Sequence, residues 1–255
     1  MEFVYFNDWV FPICEIKICH DSTPLEVQIT HFHGTGFFIR NEGFFLSAKH
    51  VISCKDMKQA STGKDFAGIL NGTVQDRKRK VPILVESLEE HPTLDIVIGK
   101  TSHLPEPMFS SETQDAYGWE DIHCFGYPEG LVKNLEGLYI FSPQFFKGYI
   151  VRRLCKDDLP SLDLSPSYEL NFPIPKGVSG APIFKTGNKK SLIGVAIGSH
   201  DSVLEKYKIT EYSDDKEKFT EKLVQVTQFG IAARASEFSD WSPKILKGKK
   251  LNEIY

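Results

Sequence analysis

Short apolar runs rich in β-branched and aromatic residues recur along the chain, and Gly, Pro, Asn and Asp clusters separate them. Few stretches show a helical period, so the pattern predicts an all-β barrel or sandwich with short accessory helices. A chain of 255 residues is long enough for two β-barrel-sized halves. We predict strands at Phe11–Ile18, Gly36–Ile39, Gly43–Ala48, Val81–Val85, Ile96–Lys100, Ile122–Gly126, Gly148–Arg152, Ala181–Phe184, Leu192–Ile197 and Phe229–Ala232.

A connector divides the chain. The segment Thr101–Gln114 contains two prolines and a Ser-Ser-Glu-Thr run, which are typical of a link between folded units. We place the boundary near residue 110, so that residues 1–110 and 111–240 form two β-rich halves and residues 241–255 a solvated basic tail. Mixed charged and apolar residues at helical spacing predict short helices at Ala48–Cys54, within Asp214–Val224 and near Ala235–Trp241.

Charge and hydropathy limit the location and the partners. The formal net charge of −4 gives no overall attraction to nucleic acid. Residues 1–8 lack the basic and apolar regions of an export signal, and no run approaches a membrane span, so we expect a cytoplasmic protein without a membrane partner. The run Arg77-Lys78-Arg79-Lys80 is typical of a solvated hairpin tip, with a nucleic-acid contact as the alternative.

The five cysteines, at positions 14, 19, 54, 124 and 155, are odd in number and have no CxxC spacing. This usage favours reduced thiols over a disulfide framework or a zinc ribbon. Cys14, Cys19, His20, His31 and His33 are scattered in a way that is typical of core thiols and surface imidazoles. We therefore expect no metal site and no cofactor.

A tight turn with two glycines, Gly177-Val178-Ser179-Gly180-Ala181-Pro182, presents one serine. A serine hydroxyl is a weak nucleophile near neutral pH, so it needs a neighbouring base and N–H groups that stabilise the resulting oxyanion. His50, at the end of an apolar run, is the candidate base, and Asp95, just before a β-branched run, is the candidate group that orients the imidazole. Each of the three residues then has one defined role.

These segments resemble those of the trypsin-like (chymotrypsin-fold) serine peptidases, and the resemblance extends over roughly residues 10–240. One further segment is similar to a strand of the HtrA-like and glutamyl-endopeptidase branches of bacteria. The segments that carry the resemblance are Gly34-Thr35-Gly36-Phe37, Ser47-Ala48-Lys49-His50-Val51, Leu94-Asp95-Ile96-Val97, Phe125-Gly126-Tyr127-Pro128 and Gly177-Val178-Ser179-Gly180-Ala181-Pro182.

The resemblance implies two six-stranded antiparallel β-barrels with the active site between them. His50 and Asp95 would come from the first barrel and Ser179 from the second. The N–H groups of Gly177 and Ser179 would form the oxyanion hole. It also implies a set of substrate-binding residues: Pro173 at the floor of the first subsite, with Ala196, Ile197, Gly198 and Gly230 along its walls.

The floor of this predicted subsite carries no acid, so it lacks the carboxylate that a strong Lys or Arg preference needs. We expect an apolar or aromatic preference. The alternative is a glutamate preference that uses His200 or Ser199.

Two features depart from the secreted members of the family. Val178 stands where those proteins usually have the aspartate that pairs with a new N-terminus, so we expect no activation by N-terminal trimming. The long segment His200–Gln228 beside the predicted cleft is either a specificity or docking element or a mobile insertion.

The sequence therefore predicts a cytoplasmic bacterial serine endopeptidase that cleaves a specific protein or peptide by limited proteolysis, with an activating partner or a cleaved effector. By analogy with standalone cytosolic members of such families, we expect a role in anti-phage defence. The alternative is an inactive pseudoprotease that serves as a protein-binding module, because the presence of three residue types does not show a productive geometry.

Overall fold

The computed structural model describes residues 8–19, 26–39, 42–55, 65–71, 80–105, 109–110, 115–135, 138–158, 166–185, 190–213 and 216–253.

The first six strands close into an antiparallel barrel in the order β1-β2-β3-β6-β5-β4, with β1 paired to β4. Aromatic side chains fill its centre, where the ring of Phe11 lies 4.6 Å from that of Phe38 and 5.5 Å from that of Phe45. The six strands are β1 Val10–Cys19, β2 Glu26–Phe38, β3 Phe44–Ser47, β4 Asp65–Asn71, β5 Lys80–Glu90 and β6 Val97–Thr101.

Six of the later strands form a second ring in the order β13-β8-β11-β12-β15-β14, which the pairing of β13 with β14 closes. The short β7 adds to β14 in parallel, and β9 pairs with β10 as a separate hairpin. The predicted pair of six-stranded barrels is therefore confirmed. The strands are β7 Phe109–Ser110, β8 Asp121–Gly126, β9 Lys133–Leu135, β10 Leu138–Ile140, β11 Gln144–Leu154, β12 Ser167–Leu170, β13 Pro182–Lys185, β14 Lys190–Ser213 and β15 Lys216–Arg234.

Buried contacts join the two barrels. The hydroxyl of Tyr127, in the second half of the chain, donates a hydrogen bond of 3.0 Å to the carbonyl oxygen of Val10 in β1. The core of the first barrel continues into the second half through Phe184, Val195 and Phe238. One apolar cluster therefore spans the first barrel and part of the second half of the chain.

The structure differs from two of the helix predictions. Residues 48–53 form a turn, and only residues 54 and 55 begin a helix in the described part of this segment. Lys216–Arg234 is a strand, because it pairs with β14 over its whole length, so the helix predicted within Asp214–Val224 is wrong. The helix near Ala235–Trp241 is present as α1, Ala235–Phe238.

The segment predicted as a solvated basic tail packs against the first barrel. Leu246 and Leu251 are buried, and the Ile245 N–H donates a hydrogen bond of 2.9 Å to the Glu89 carboxylate. Two 3-10 turns, Lys244–Leu246 and Leu251–Glu253, shape this segment. The lysines face solvent, while the apolar residues between them anchor the chain.

The remaining sequence predictions concern the basic run at residues 77–80, the cysteines and the absence of a membrane span. Arg77, Lys78 and Arg79 lie outside the described residues. In the described part of the chain, no disulfide contains Cys14, Cys54, Cys124 or Cys155, and burial raises the pKa of the Cys14 and Cys124 thiols. In the part of the chain that the structure describes, no helix has the length and the hydropathy of a membrane span.

Candidate active site

Asp95 holds His50 at two points. His50 lies in the turn that follows β3, and Asp95 lies just before β6, the strand that pairs with β3. The His50 backbone N–H donates to Asp95 Oδ1 at 3.0 Å, and His50 Nδ1 lies 2.5 Å from Asp95 Oδ2. With the carboxylate ionised, this contact places the proton on Nδ1 and leaves Nε2 free to accept another proton.

The turn that contains Ser179 is fastened to the first barrel by Thr35 of β2. The Thr35 N–H donates to the Ser179 carbonyl oxygen at 2.9 Å, and the Thr35 hydroxyl donates to the Gly177 carbonyl oxygen at 2.7 Å. The Thr35 carbonyl oxygen accepts a bond of 2.8 Å from Ser47 Oγ at the end of β3. Thr35 therefore links the serine turn to the strand that leads to His50.

Gly180 permits this close approach. Its φ is +87°, and a Cβ atom there would lie 2.0 Å from the Thr35 carbonyl oxygen and 2.3 Å from Ser47 Oγ. Any larger residue would push the serine turn away from the end of β3. Ser179 itself is partly exposed, and among the described residues no hydrogen bond joins its hydroxyl to His50.

The peptide bond between Lys176 and Gly177 has a fixed direction. The Lys176 carbonyl oxygen accepts a bond of 2.7 Å from the Glu129 N–H. Because the C=O and N–H of a trans peptide point in opposite directions, the Gly177 N–H is directed away from Glu129. Within the described residues, neither the Gly177 N–H nor the Ser179 N–H enters a backbone hydrogen bond. Both N–H groups are therefore open to an external acceptor.

Glycine is required at position 177. Its φ is +90°, a value that L side chains rarely adopt, and a Cβ atom there would lie 2.5 Å from the Tyr127 carbonyl oxygen. The next residue, Val178, is fully buried in the core of the second barrel. Apolar packing of Val178 therefore holds the serine turn. This is the position at which the secreted members of the family usually have an aspartate.

One of the predicted subsite residues, Ala196, bonds directly to the serine turn. Ala196 exchanges two hydrogen bonds with it, from the Gly180 N–H at 2.7 Å and to the Ala181 carbonyl oxygen at 2.9 Å. The β14–β15 register shifts between Ala196 and Gly198, so Ile197 forms a bulge. Gly230 faces Ser199 across the same strand pair.

Pro173, the predicted floor, is exposed, and the following residue occupies the interior. Ile174 is 5% exposed, and its Cγ1 lies only 3.0 Å from the point where a Gly230 Cβ would stand. Ser199 Oγ accepts from the Ile174 N–H at 2.6 Å and donates to its carbonyl oxygen at 3.1 Å. The sequence prediction placed Pro173 at the floor and did not include Ile174. The apolar residues on either side of Pro173 could have indicated that a neighbour points inward.

His200 contacts the buried carboxylate of Glu169. Glu169 is 3% exposed, and it accepts two bonds from the Arg152 guanidinium, at 2.7 and 3.1 Å. His200 Nε2 lies 2.7 Å from Glu169 Oε1, and its ring stacks on Phe229. Burial opposes ionisation of Glu169, but the bonds from Arg152 and His200 outweigh it and hold its pKa below the ordinary value.

A family model of the trypsin-like peptidase domain matches residues 34–195, which is more than half of the chain. The chain belongs to this family. The predicted class, a trypsin-like serine protease, is confirmed, and the match contains His50, Asp95 and Ser179. No curated protein matched the chain.

Solved structures of the same fold include HtrA-type proteases. The HtrA-type protease AlgW with a decapeptide is 14% identical with a TM-score of 0.53, and the match covers 91% of this chain and 62% of that one. The active form of the Rv3671c protease from M. tuberculosis is 16% identical with a TM-score of 0.50, and 91% and 78% of the chains are covered. The chain therefore spans about three-fifths of the AlgW chain, and these matches show likeness of fold.

Proposed function

We propose that the chain is a serine endopeptidase in which Ser179 is the nucleophile, His50 the general base and Asp95 the group that orients the base. The observation that carries the proposal is the double contact of the Asp95 carboxylate with the backbone and the ring of His50. A carboxylate that only balanced charge would not need to bind both groups. This arrangement fixes the tautomer in which Nε2 accepts a proton.

The reaction proceeds through an acyl-enzyme. His50 Nε2 takes the Ser179 hydroxyl proton while the serine oxygen forms a bond to the substrate carbonyl carbon. The tetrahedral intermediate then breaks its C–N bond, and His50 gives the proton to the leaving amine. Water repeats the sequence on the ester, with His50 again as the base, and releases the free carboxylate.

The Gly177 and Ser179 N–H groups are the proposed oxyanion donors. The opposite orientation of the Lys176–Gly177 peptide would point a carbonyl oxygen at the developing negative charge. The bond from the Glu129 N–H to the Lys176 carbonyl oxygen opposes that orientation. The fixed orientation of this peptide favours an enzyme over the pseudoprotease alternative, because the two N–H donors do not have to reorient when substrate binds.

The first subsite is proposed to take a small or medium aliphatic side chain. Ile174 packs against Gly230, and we infer that it limits the size of the side chain that this subsite accepts. His200 Nε2 is paired with Glu169, and the Ser199 hydroxyl already donates to Ile174 and accepts from it, so neither of these two groups has a spare donor for a glutamate side chain. These contacts favour the apolar preference over the glutamate alternative.

The biological setting remains a prediction from sequence. Limited proteolysis of a specific protein agrees with the buried Val178, which leaves no acid to pair with a new N-terminus. Cytoplasmic location, bacterial origin, an activating partner and a role in anti-phage defence rest on analogy. Broad degradation of unrelated proteins by the purified enzyme would contradict the limited-proteolysis part of the proposal.

A mixture of proteome-derived peptides tests the proposal. Purified wild type is expected to generate new peptide N-termini that follow Val, Ala or similar residues, as read by mass spectrometry. Ser179→Ala should give none, while Ser87→Ala, a change in an exposed serine of β5 in the first barrel, should retain them. Cleavage by Ser179→Ala would show that the assigned nucleophile is wrong.

A further inference from the structure

The longest hairpin of the protein projects from the second barrel. We define the arm as residues 200–213 of β14 and 216–229 of β15, which pair with each other as far as Ser213 and Lys216. Cross-strand hydrogen bonds stabilise it, from Gln228 to Asp201 at 3.0 Å and from Thr220 to Thr210 at 3.2 Å. The predicted insertion is therefore an ordered two-stranded ribbon.

The outer edge of β14 is open along the arm. On that edge, β13 pairs with β14 only as far as Val195. The short β7 pairs with residues 190 and 191 on the opposite edge, the one that β15 occupies further along. Beyond Ile197, no strand in the described part of the chain pairs with β14 other than β15. Since the N–H and C=O groups of alternate residues face each edge of a strand, a row of backbone donors and acceptors is exposed there.

The arm also exposes apolar side chains on both faces. The register places Leu204, Tyr207, Ile209 and Leu223 on one face and Val203, Val224 and Val226 on the other. A two-stranded ribbon is marginal in water, and a cluster of exposed apolar side chains on it indicates a binding surface. The exposed fractions are 60% for Val203, 55% for Leu204, 53% for Tyr207, 38% for Ile209, 62% for Leu223, 42% for Val224 and 49% for Val226.

The open edge begins at the proposed active site. Ala196 is the last residue of β14 whose backbone bonds to the serine turn, and the free edge starts with the next residues. β14 runs from this point outward to the end of the arm. A chain that pairs antiparallel with this edge must run inward, so its later residues arrive at Ser179 and its earlier residues lie along the arm.

We propose that the outer edge of β14, from Ser199 to Ile209, binds the part of the substrate chain that precedes the cleaved bond as an added antiparallel strand. The inference rests on the proposed peptidase function and names its substrate class, an extended polypeptide segment. The eleven residues from Ser199 to Ile209 span about 33 Å, so about ten substrate residues pair with them. Val203 on one face and Leu204 and Tyr207 on the other favour β-branched and aromatic residues in that segment.

The arm selects substrates by the length of their extended segment as well as by its sequence. Backbone pairing requires a substrate segment that is extended and free of proline, because proline lacks the N–H donor. Folded proteins seldom present ten such residues next to a cleavable bond. The arm therefore restricts cleavage to chains with an exposed strand or an unfolded segment before the cleavage site.

Binding to Ser179→Ala separates this inference from the chemistry. The probes are a fluorescein-labelled peptide with ten alternating Val and Thr or Lys residues before the cleavage position, its truncated version with three, and a long version with N-methylated alternate amides. We expect the long peptide to bind at least about tenfold more tightly than the short one by fluorescence anisotropy, because several backbone hydrogen bonds each contribute. N-methylation of the amides that face β14 should abolish the gain.

A matched pair of variants locates the binding edge. Val203 and Val226 face each other across the arm and are both exposed. Val203 is on β14, whose open edge leads to the serine turn, whereas Val226 is on β15, whose outer edge leads to β12. Val203→Lys should reduce the ratio of long-peptide to short-peptide affinity towards one, and Val226→Lys should preserve most of it. Replacing residues 203–226 with Asn-Gly, which joins the paired Ser202 and Thr227 by a tight turn, should also remove the gain.

Two results would overturn the inference. One is equal affinity of Ser179→Ala for the long and the short peptide. The other is a dimer in analytical ultracentrifugation that both lysine variants disrupt equally, with no gain for the long peptide, since a second copy would then occupy the edge. Failure of wild type to cleave any peptide, with the length-dependent binding intact, would instead refute the proposed function alone.

Discussion

Replacing Thr35 by valine removes one hydroxyl and keeps the shape of the side chain. Thr35 is fully buried, and its hydroxyl oxygen donates to the Gly177 carbonyl oxygen at 2.7 Å and accepts from the Tyr127 N–H at 3.2 Å. In Thr35→Val, two buried backbone groups lose their partner. Each such group costs about 1–3 kcal/mol, so the free energy of unfolding should fall by about 2–6 kcal/mol.

The same change should also slow acylation of Ser179. Gly177 loses the hydrogen bond that fixes its carbonyl oxygen, so the serine turn and its proposed oxyanion donors are held less firmly. Thermal unfolding and the rate of labelling by a fluorophosphonate, both on purified protein, measure the two effects. A loss of this size should lower the Tm by several degrees at the least, at about 2–4 °C for each kcal/mol.

Thr30→Val is the matched control, since Thr30 lies on the same strand with its hydroxyl bonded to Glu15 at the surface. Its unfolding free energy should change by less than about 1 kcal/mol, because water replaces the lost contact. If Thr35→Val and Thr30→Val unfold alike and label at the same rate, the assigned role of Thr35 in holding the serine turn is refuted.

Three further changes probe the site. Asp95→Asn should lower kcat by roughly 10⁴-fold because it favours the wrong His50 tautomer, and a rate close to wild type would contradict the orienting role. Ile174→Ala should raise kcat/KM for a Phe-containing peptide, relative to that for its Val counterpart, by about tenfold or more. It should also lower the free energy of unfolding by about 2–5 kcal/mol. An unchanged kcat/KM ratio would show that Ile174 does not line the subsite. Glu169 has a pKa below its ordinary value in the folded state, so its contribution to stability is present above the ordinary pKa and is lost as the pH falls through the lowered one. In urea unfolding across pH 3–6, Glu169→Gln should therefore weaken the acid-side loss of stability, whereas Glu205→Gln at the exposed arm should leave it as in wild type.

The sequence was sufficient to predict ten of the strands and to single out the three candidate catalytic residues, because short β-branched runs and the motifs around His50, Asp95 and Ser179 are local signals. It did not predict β4 or β12, which help to close the two barrels. The arm was not predicted as a strand pair. Its mixture of Lys, Glu and apolar residues fits a helical period as well as an alternating one, and only pairing with β14 decides between them.

Thr35 and Ile174 show a second limit. Thr35 bonds to Gly177, which is 142 positions away in the chain, and nothing in the residues around Thr35 indicates that partner. Ile174 lies beside the predicted Pro173, but the direction of each side chain depends on how the segment packs against Gly230. A contact between the two barrels sets the role of Thr35, and packing within the second barrel sets that of Ile174. A single sequence contains neither as a local pattern.

The central claim is that Ser179 is an activated nucleophile in the folded protein. Intact mass spectrometry after treatment with a fluorophosphonate probe tests it most directly, with wild type, Ser179→Ala and His50→Gln compared side by side. We predict one adduct on wild type that maps to Ser179, none on Ser179→Ala, and much slower labelling of His50→Gln. An unlabelled wild type, or an adduct that persists in Ser179→Ala, would contradict the account.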